Sequence, residues 1–222
     1  EVTDMAEYVI VGNGVAAVGC IEGIRSVDRA TPIAVISEET HPVYGRPLIS
    51  YYLEGKSKPE KMNYRPADFY EANNCRVLYG RRAVSIDREA KSVLLDDGSA
   101  LPCTAVCVAT GSSPFVPPIP GLEAVPARFS FMTLDDALAL EKAIGRDSRV
   151  LIVGAGLIGL KCAEGIRARV GSITVCDLAP RVLSSILDDA CAAMMQERLE
   201  ANGIRLMLGD TVAEFNGGHA VM

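Results

Sequence analysis

Short apolar runs that pass into glycine-rich turns divide the first half of the chain into strands and helices. Residues 8–11 (YVIV) predict a buried strand, the stretch after the next turn predicts a helix to about Ser26, and residues 32–37 predict a second strand. Residues 82–102 alternate apolar and polar positions on two arms with turn residues between them, which predicts a hairpin. Residues 105–111 (AVCVATG) predict another buried strand that runs into a glycine turn.

The second half of the chain repeats the opening pattern. Residues 149–153 (RVLIV) predict a strand, the stretch after the glycine turn predicts a helix to about Arg169, and residues 172–177 predict the next strand. Two strand–helix–strand units of this kind indicate an α/β fold.

Capping residues predict two further helices in the second half. Thr133 has the position of an N-cap with Asp136 three residues later, and Gly145 follows the end of the apolar pattern. Another helix is predicted from about residue 188 to residue 202, because the periodic pattern there stops at Gly203.

Residues 112–122 (SSPFVPPIPGL) separate the two halves. Their four prolines exclude a continuous helix or a central strand, because proline has no N–H to donate. We therefore predict a linker at this point between two domains, residues 1–113 and residues 114–222.

Composition narrows the classes of partner. Hydrophobic residues make up 49% of the chain and charged residues 23%, which is typical of a globular protein with a sizeable core. The net charge of -6 provides no broad basic surface, so nucleic acid is not expected as a partner. No stretch has the roughly 18 uncharged apolar residues of a membrane span, and the start has no basic region of a secretory signal, so we expect a cytoplasmic protein with no membrane contact.

The cysteines are predicted to be small buried hydrophobic residues. They are widely spaced and include no C-x-x-C pair, so neither a zinc site nor any other metal site is expected. The seven are Cys20, Cys75, Cys103, Cys107, Cys162, Cys176 and Cys191.

Both glycine turns have small residues at a spacing suited to a dinucleotide. The first small residue permits the tight turn, the second lets a diphosphate approach the backbone, and the third lets the helix lie close to the strand. The N–H groups at the helix start then face the anion, assisted by the helix dipole. One such turn can exist for packing alone, whereas two of them after apolar strands indicate nucleotide binding. The residues are Gly12, Gly14 and Ala17 in the first turn and Gly154, Gly156 and Gly159 in the second.

An acidic residue follows each turn at the end of the next strand. These residues are Glu38, or its neighbour Glu39, and Asp177. A carboxylate there can accept hydrogen bonds from both hydroxyls of a ribose and would repel the 2′-phosphate of NADP, so NAD is favoured at the second site. The alternative is a solvated acid at a strand end.

These turns and two further stretches resemble the pyridine nucleotide-disulfide oxidoreductase superfamily of flavoproteins. The matching stretches, in the superfamily's order, are VIVGNGVAA, HPVYGRPLISYYL, VCVATGSSP and VLIVGAGLIGLKCAE. The resemblance implies two Rossmann-like doubly wound domains with a three-layer ββα/βαβ organisation. In this family the first domain binds FAD and the second binds NAD(P)H. The segment YGRPLIS is similar to the branch of ferredoxin, rubredoxin and nitrite reductase-associated NADH oxidoreductases.

The resemblance also implies flavin contacts outside the first glycine turn. Arg46 and Pro47 match residues that lie along the FAD, and a guanidinium beside a diphosphate is physically sensible. Thr110 and Gly111 match a crossover turn that passes close to FAD, and the backbone of Ala83 matches the place where the adenine is commonly held. The alternative for Arg46 is an ordinary surface arginine.

Three features depart from the superfamily's pattern. The C-x-x-x-x-C pair of disulfide reductases and the single cysteine of the peroxidase and oxidase branch are absent, so a thiol relay is unsupported. Tyr51 stands where ferredoxin reductase relatives often have a lysine near the flavin, and Lys161 replaces a glutamate of the NAD motif. A cation in place of an anion near the nicotinamide is expected to change ground-state binding, and no catalytic side chain is assigned.

The resemblance further implies a second FAD-contacting segment with an A-x-G-D signature and a C-terminal interface domain, neither of which follows Asn202. Residues 211–215 and 219–222 instead predict a strand pair. We therefore expect a truncated flavoprotein whose FAD domain is incomplete and whose FAD affinity is weakened. A homodimer is an expectation for the full-length form only.

The predicted function is that of a flavin-dependent NADH oxidoreductase. Hydride would pass from NADH to FAD, and electrons would leave to a separate acceptor, by analogy an iron-sulfur protein or rubredoxin. The alternatives are an NADH oxidase or peroxide-reducing flavoprotein, and a nucleotide-binding, redox-sensing module without turnover.

Overall fold

The computed structural model describes residues 8–217 and 219–222. Its helices are α1 (Val15–Val27), α2 (Ile49–Leu53), α3 (Phe69–Ala72), α4 (Leu134–Ala143), α5 (Leu157–Ile166) and α6 (Asp189–Ala201). Its strands are β1 (Tyr8–Val11), β2 (Ile33–Ser37), β3 (Cys75–Tyr79), β4 (Ala83–Asp87), β5 (Ser92–Leu95), β6 (Ala100–Pro102), β7 (Ala105–Val108), β8 (Arg149–Val153), β9 (Ser172–Asp177), β10 (Ile204–Leu208), β11 (Glu214–Asn216) and β12 (His219–Val221).

The chain separates into two compact units. The first comprises the residues up to Gly45 and residues 60–112, and the second comprises residues 46–59 and the chain from Ser113 onward. The division after residue 112 lies at the start of the proline-rich stretch. The segment 46–59, in contrast, groups with the second unit although it lies within the first half of the sequence.

A four-stranded parallel sheet forms the centre of the first unit, in the order β3-β2-β1-β7. Strand β1 is paired on both sides, with Ile10 opposite Val35 of β2 and Cys107 of β7. On one face, Val18 and Ile21 of α1 are buried against Ile10 and Val35. Strands β1 and β2 are almost entirely apolar because both faces of this sheet are covered.

An antiparallel sheet of β4, β5 and β6 covers the other face of the parallel sheet. Val93 and Leu95 of β5 are buried in one core cluster with Val9 and Ile36 of the parallel sheet, and Leu94 between them is exposed. This alternation is what a strand with one buried face requires. The hairpin predicted over residues 82–102 is present as β4 and β5, and the same stretch contains a third strand, β6, that was not predicted.

The second unit contains a parallel sheet in the order β10-β9-β8. Its central strand β9 buries Ile173, Val175 and Cys176. Helix α5 packs against β8 and β9, and α6 packs against β10. Strands β11 and β12 form a separate antiparallel pair, in which Phe215 is opposite Ala220. The sequence predicted a pair at this place, but β11 begins at Glu214 and not at residue 211.

The predicted boundaries of α4 and α6 rest on observed caps, whereas α5, predicted to extend to about Arg169, ends at Ile166. At α4, the N–H of Asp136 donates to Thr133 Oγ1 at 3.0 Å, and the N–H of Thr133 donates to the Asp136 carboxylate at 2.9 Å. At α6, the Asp188 carboxylate accepts from the N–H of Cys191 at 2.8 Å, and Gly203 follows the helix with φ +80°. These contacts satisfy backbone groups that the helix itself leaves unpaired.

Helix α2 packs against α4 and α5, which explains why its segment belongs to the second unit. A Cβ at Gly165 of α5 would lie 2.9 Å from the carbonyl oxygen of Ser50, so glycine at this point lets the two helices approach closely. The Arg169 guanidinium donates to the carbonyl oxygen of Leu53 and pairs with Glu141 at 2.9 Å. The segment is therefore held by backbone packing and by charge.

Arg25 joins α1 to the loops beside it, and its removal is expected to destabilise the first unit. Its guanidinium donates to the carbonyl oxygens of Asn73 at 2.7 Å, Asp28 at 2.9 Å and Thr31 at 2.7 Å. Because hydrogen bonds from a charged group contribute more than neutral ones, Arg25→Ala should lower the free energy of unfolding by about 2 kcal/mol in denaturant titration. Arg29→Ala removes an equal charge from the same region and serves as the control; an equal effect of both changes would contradict the prediction.

Candidate functional site

The first glycine turn lies tightly against the end of β7. Gly12 has φ +108°, and a Cβ there would overlap the carbonyl oxygen of Ala109. The N–H of Gly12 donates to the carbonyl oxygen of Ile36 at 2.8 Å, and the N–H of Ala109 donates to the carbonyl oxygen of Val11 at 2.7 Å. Glycine at position 12 is therefore required by backbone conformation and by packing, before any ligand is considered.

Gly14 is the N-cap of α1 and has a different environment. Any residue can adopt its φ of -99°, and a Cβ at this position would meet no atom within 4 Å. No side chain caps the helix, whereas Ala17 one turn later is fully buried against the sheet. The turn thus combines a closely packed base with an open helix start.

The second glycine turn has the same backbone conformation, but a Cβ at its first glycine, Gly154, would meet nothing within 4 Å. Gly154 has φ +115°, and its N–H donates to the carbonyl oxygen of Cys176 at 2.8 Å. Gly156 is the N-cap of α5, without a side-chain cap and with nothing within 4 Å of a Cβ position. A Cβ at Gly159 would overlap the carbonyl oxygen of Gly154, so a larger residue would push the helix away from the turn.

The residues at both turns fit a diphosphate. Such a group needs backbone N–H donors, room for its oxygens and the positive end of a helix dipole. At Gly14 and Gly156 the space that a Cβ would fill is open, and the helix N–H groups have no side-chain acceptor in the cap. Either turn can therefore accept a dinucleotide through its backbone without a lysine or arginine.

Asp177, at the end of β9, is held by the second turn. One carboxylate oxygen accepts from the N–H of Ala155 at 2.7 Å, and the other accepts from the N–H of Ala179 at 2.8 Å. Each oxygen of an ionised carboxylate can accept a second hydrogen bond, so the predicted contact with ribose hydroxyls is compatible with these two bonds. The backbone contacts also fix the direction in which the carboxylate faces.

The two acids after β2 make different contacts. Glu38 is largely exposed and pairs with the Arg82 guanidinium at 2.6 Å. Glu39 accepts a hydrogen bond from the Tyr44 hydroxyl at 2.5 Å. Neither carboxylate repeats the clamp that Asp177 makes with its turn, and the role of Glu38 toward a ribose stays a prediction.

The other residues predicted from the resemblance are distributed over both units. Thr110 and Gly111 follow β7 in the first unit. The backbone nitrogen of Thr110 lies next to the first glycine turn, 3.0 Å from the position that a Cβ of Gly12 would take. Ala83 begins β4, next to an irregularity in the pairing with β5. Arg46 and Pro47 belong to the second unit, where the exposed Arg46 guanidinium donates to the carbonyl oxygen of Met132 at 3.1 Å.

The two positions that depart from the superfamily's pattern contact one another. The Lys161 ammonium lies 4.6 Å from the centroid of the Tyr51 ring and also pairs with Glu164. A cation over an aromatic face is attracted to the ring's negative potential. The sequence separates these residues widely, so their contact could be found only from the packing of α2 on α5.

The cysteines beside the turns are poor nucleophiles. Burial raises the pKa of the Cys162 thiol in α5 to about 12, and burial together with the neighbouring Cys107 thiol raises the pKa of Cys20 to about 11. Because the thiolate is the reactive form, these thiols stay protonated at neutral pH. Hydrophobic packing is the role that their surroundings support.

The chain matches a known protein family. The profile of the pyridine nucleotide-disulphide oxidoreductase family matches residues 6–222. The chain belongs to this family. Members of this family are expected to bind FAD and NAD(P)H. The α/β fold with parallel sheets described above agrees with this membership.

Two individual relatives are named as subunits of redox enzymes. The subunit epsilon of an NADH-dependent phenylglyoxylate dehydrogenase from Aromatoleum evansii is 32% identical over 208 residues, which are 93% of this chain and 49% of that protein. The ferredoxin–NAD(+) reductase subunit of a benzene 1,2-dioxygenase system from Pseudomonas putida is 30% identical, over 96% of this chain and 52% of that protein.

Solved structures agree with the fold of this family member. The covalent putidaredoxin reductase–putidaredoxin complex contains a chain that is 31% identical, with a TM-score of 0.83, and the match covers 94% of this chain and 51% of that one. The chain therefore spans about half the length of the relatives it matches. Within residues 8–217 and 219–222, no helix has the length and apolar character needed to cross a membrane.

Proposed function

We propose that the protein is an FAD-dependent NADH oxidoreductase that passes electrons to a separate acceptor. The observation that carries this proposal is the pair of glycine turns, each with an open helix start at its second glycine. Two dinucleotide sites on one chain are what a hydride transfer from a nicotinamide to a flavin requires. Relatives named as a subunit of an NADH-dependent dehydrogenase and as a ferredoxin–NAD(+) reductase subunit support the same activity.

The chain's own residues would bind and orient the two nucleotides. When bound, FAD and NADH supply the redox chemistry, with hydride passing from the nicotinamide to the flavin. The backbone at each turn would hold a diphosphate, and the carboxylates at the strand ends would hold the riboses. We assign FAD to Gly12, Gly14, Ala17, Glu38, Arg46, Pro47, Ala83, Thr110 and Gly111, and NADH to Gly154, Gly156, Gly159 and Asp177.

Preference for NADH over NADPH is part of the proposal. The Asp177 carboxylate is fixed by two backbone N–H groups and would repel a 2′-phosphate on the ribose that it contacts. Arg181, a nearby cation, pairs with Asp189 at 3.1 Å and donates to the carbonyl oxygens of Ser184 and Leu187. Its charge is thus compensated locally, which supports selection against the additional phosphate.

A small redox protein such as a ferredoxin or rubredoxin is the proposed acceptor. A relative named as a ferredoxin–NAD(+) reductase subunit and the relative that forms a complex with putidaredoxin support it. A homodimer of the full-length protein and a cytoplasmic location remain predictions.

Oxygen is a second candidate acceptor. A relative from Methanocaldococcus jannaschii named NADH oxidase is 30% identical over 96% of this chain. Reduced flavin can pass electrons to oxygen without a protein thiol, so the missing cysteine in residues 41–53 does not oppose this reading. Oxygen consumption with NADH alone, at a rate equal to that with an added ferredoxin, would favour the oxidase.

Anaerobic titration with NADH tests the proposed function. The full-length protein should be yellow, and its flavin absorption should bleach after about one equivalent of NADH. Colour without bleaching would exclude hydride transfer and favour the nucleotide-binding module. A colourless protein that FAD cannot reconstitute would contradict the proposal at its first step.

A further inference from the structure

Asn13, between the two glycines of the first turn, is held by its side chain. Its Oδ1 accepts a hydrogen bond from the Tyr70 hydroxyl at 2.6 Å, and its Nδ2 lies 3.5 Å from the carbonyl oxygen of His41. The Tyr70 hydroxyl in turn accepts from the N–H of Val43 at 3.3 Å. Tyr70 therefore connects the first turn to the segment that runs from His41 to Val43.

The second turn is held in a different way. There the middle residue is Ala155, whose side chain cannot form a hydrogen bond, and its N–H donates to the Asp177 carboxylate instead. At the first turn the corresponding acid, Glu38, pairs with Arg82. The Asn13 amide thus fastens a turn that lacks the carboxylate clamp of the other one.

Tyr70 is itself well placed to act as an anchor. It lies on α3, its ring packs edge to face on Phe69 with centroids 5.3 Å apart, and both residues contact the core beneath α1. Burial raises the pKa of the Tyr70 hydroxyl, so the group stays protonated at neutral pH and can donate to Asn13. A protonated hydroxyl can make both observed bonds, one as donor and one as acceptor.

We propose that Asn13 and Tyr70 are positioning residues that hold the first glycine turn in the shape that binds the FAD diphosphate. This inference rests on the proposed function, because it requires that the first turn be the FAD site. The helix N–H groups at Gly14 can donate to a diphosphate only while the preceding turn keeps its direction. A turn that must be ordered on binding would hold FAD more weakly.

A double-mutant cycle of Tyr70→Phe and Asn13→Ala in the full-length protein tests this inference. Each single change removes the Tyr70–Asn13 hydrogen bond; Tyr70→Phe also removes the acceptor of the Val43 N–H, and Asn13→Ala also removes the amide beside the His41 carbonyl oxygen. Each should weaken FAD binding about three- to tenfold, measured from the quenching of flavin fluorescence. The loss of affinity in the double variant should be smaller than the product of the two single losses, because the bond between the two residues is removed in both single variants; a loss equal to that product would overturn the coupling. Calorimetric titration with NAD⁺, which reports on the second turn, should give unchanged affinity for all three variants.

Tyr79→Phe is the matched control. It removes a hydroxyl from the neighbouring strand β3 whose pKa is raised by burial and by Tyr70 but for which no hydrogen bond is found within residues 8–217 and 219–222, so FAD affinity should not change. Wild-type FAD affinity in Tyr70→Phe would overturn the positioning role alone. Parallel losses of FAD affinity, NAD⁺ affinity and thermal stability would also overturn it, since they indicate general destabilisation. Failure of the wild-type protein to bind FAD would overturn the proposed function as well.

Discussion

Replacement of Gly14 by valine is expected to abolish FAD retention while the protein remains folded. The φ of -99° at Gly14 suits a branched residue, and the position of the Cβ is open, so the chain can accommodate the new side chain. That side chain would then occupy the space of the diphosphate. We expect FAD affinity to fall at least about 100-fold, which corresponds to about 3 kcal/mol of binding free energy. Flavin absorbance after gel filtration and far-UV circular dichroism measure the two parts of this prediction.

Two comparison variants make the result specific to the ligand. Gly19→Val introduces the same side chain at an open position within α1 and should leave FAD bound. Gly12→Ala should instead destabilise the protein by several kcal/mol, because position 12 combines φ +108° with an overlap on Ala109. A folded Gly14→Val protein that stays yellow would show that the diphosphate does not lie at this turn.

Replacement of Asp177 should reduce the use of NADH much more than the use of NADPH. Asp177→Asn keeps an acceptor for one backbone N–H but removes the charge, so we expect kcat/KM for NADH to fall about tenfold, while that for NADPH changes little because the repulsion of the 2′-phosphate is relieved. Asp177→Ala should cost NADH more, since the N–H groups of Ala155 and Ala179 then lose their acceptor as well. Steady-state kinetics with both coenzymes at fixed acceptor concentration measure the effect.

Asp210→Asn is the control for the loss of charge. Asp210 follows β10 beside Asp177, and its own carboxylate accepts only from the N–H of Thr211 among the contacts found in the described residues. This variant should change kcat/KM for NADH and for NADPH only slightly and to the same extent. Equal losses of NADH and NADPH activity in Asp177→Asn would mean that the carboxylate holds the turn but does not select the coenzyme.

Strands β3 and β10 were not predicted from the sequence, and the physical reason is the same for both. Strands β3 and β10 each form the edge of a parallel sheet, and each carries an arginine, Arg76 and Arg205, on an exposed position. The arginine at the second position interrupts the apolar run of each strand, whereas the edge strands β7 and β8 keep four apolar residues in succession and were predicted. The strand predicted to run into a glycine turn over residues 105–111 is present as β7, but it is only partly buried because it forms the other edge of the first sheet.

The amino-acid sequence by itself determined the two strand–turn–helix units, the spacing of their small residues and the acid at the end of each second strand. These are local properties, because apolar runs, caps and glycine turns act over a few neighbouring residues. Tertiary structure alone decided which glycines are needed for packing and which leave space for a ligand. It also decided that α2 belongs with α5, that Lys161 meets Tyr51 and that Tyr70 holds Asn13. Each of these contacts joins residues far apart in the chain, so it depends on how the folded elements pack together and leaves no signal in any short stretch of sequence.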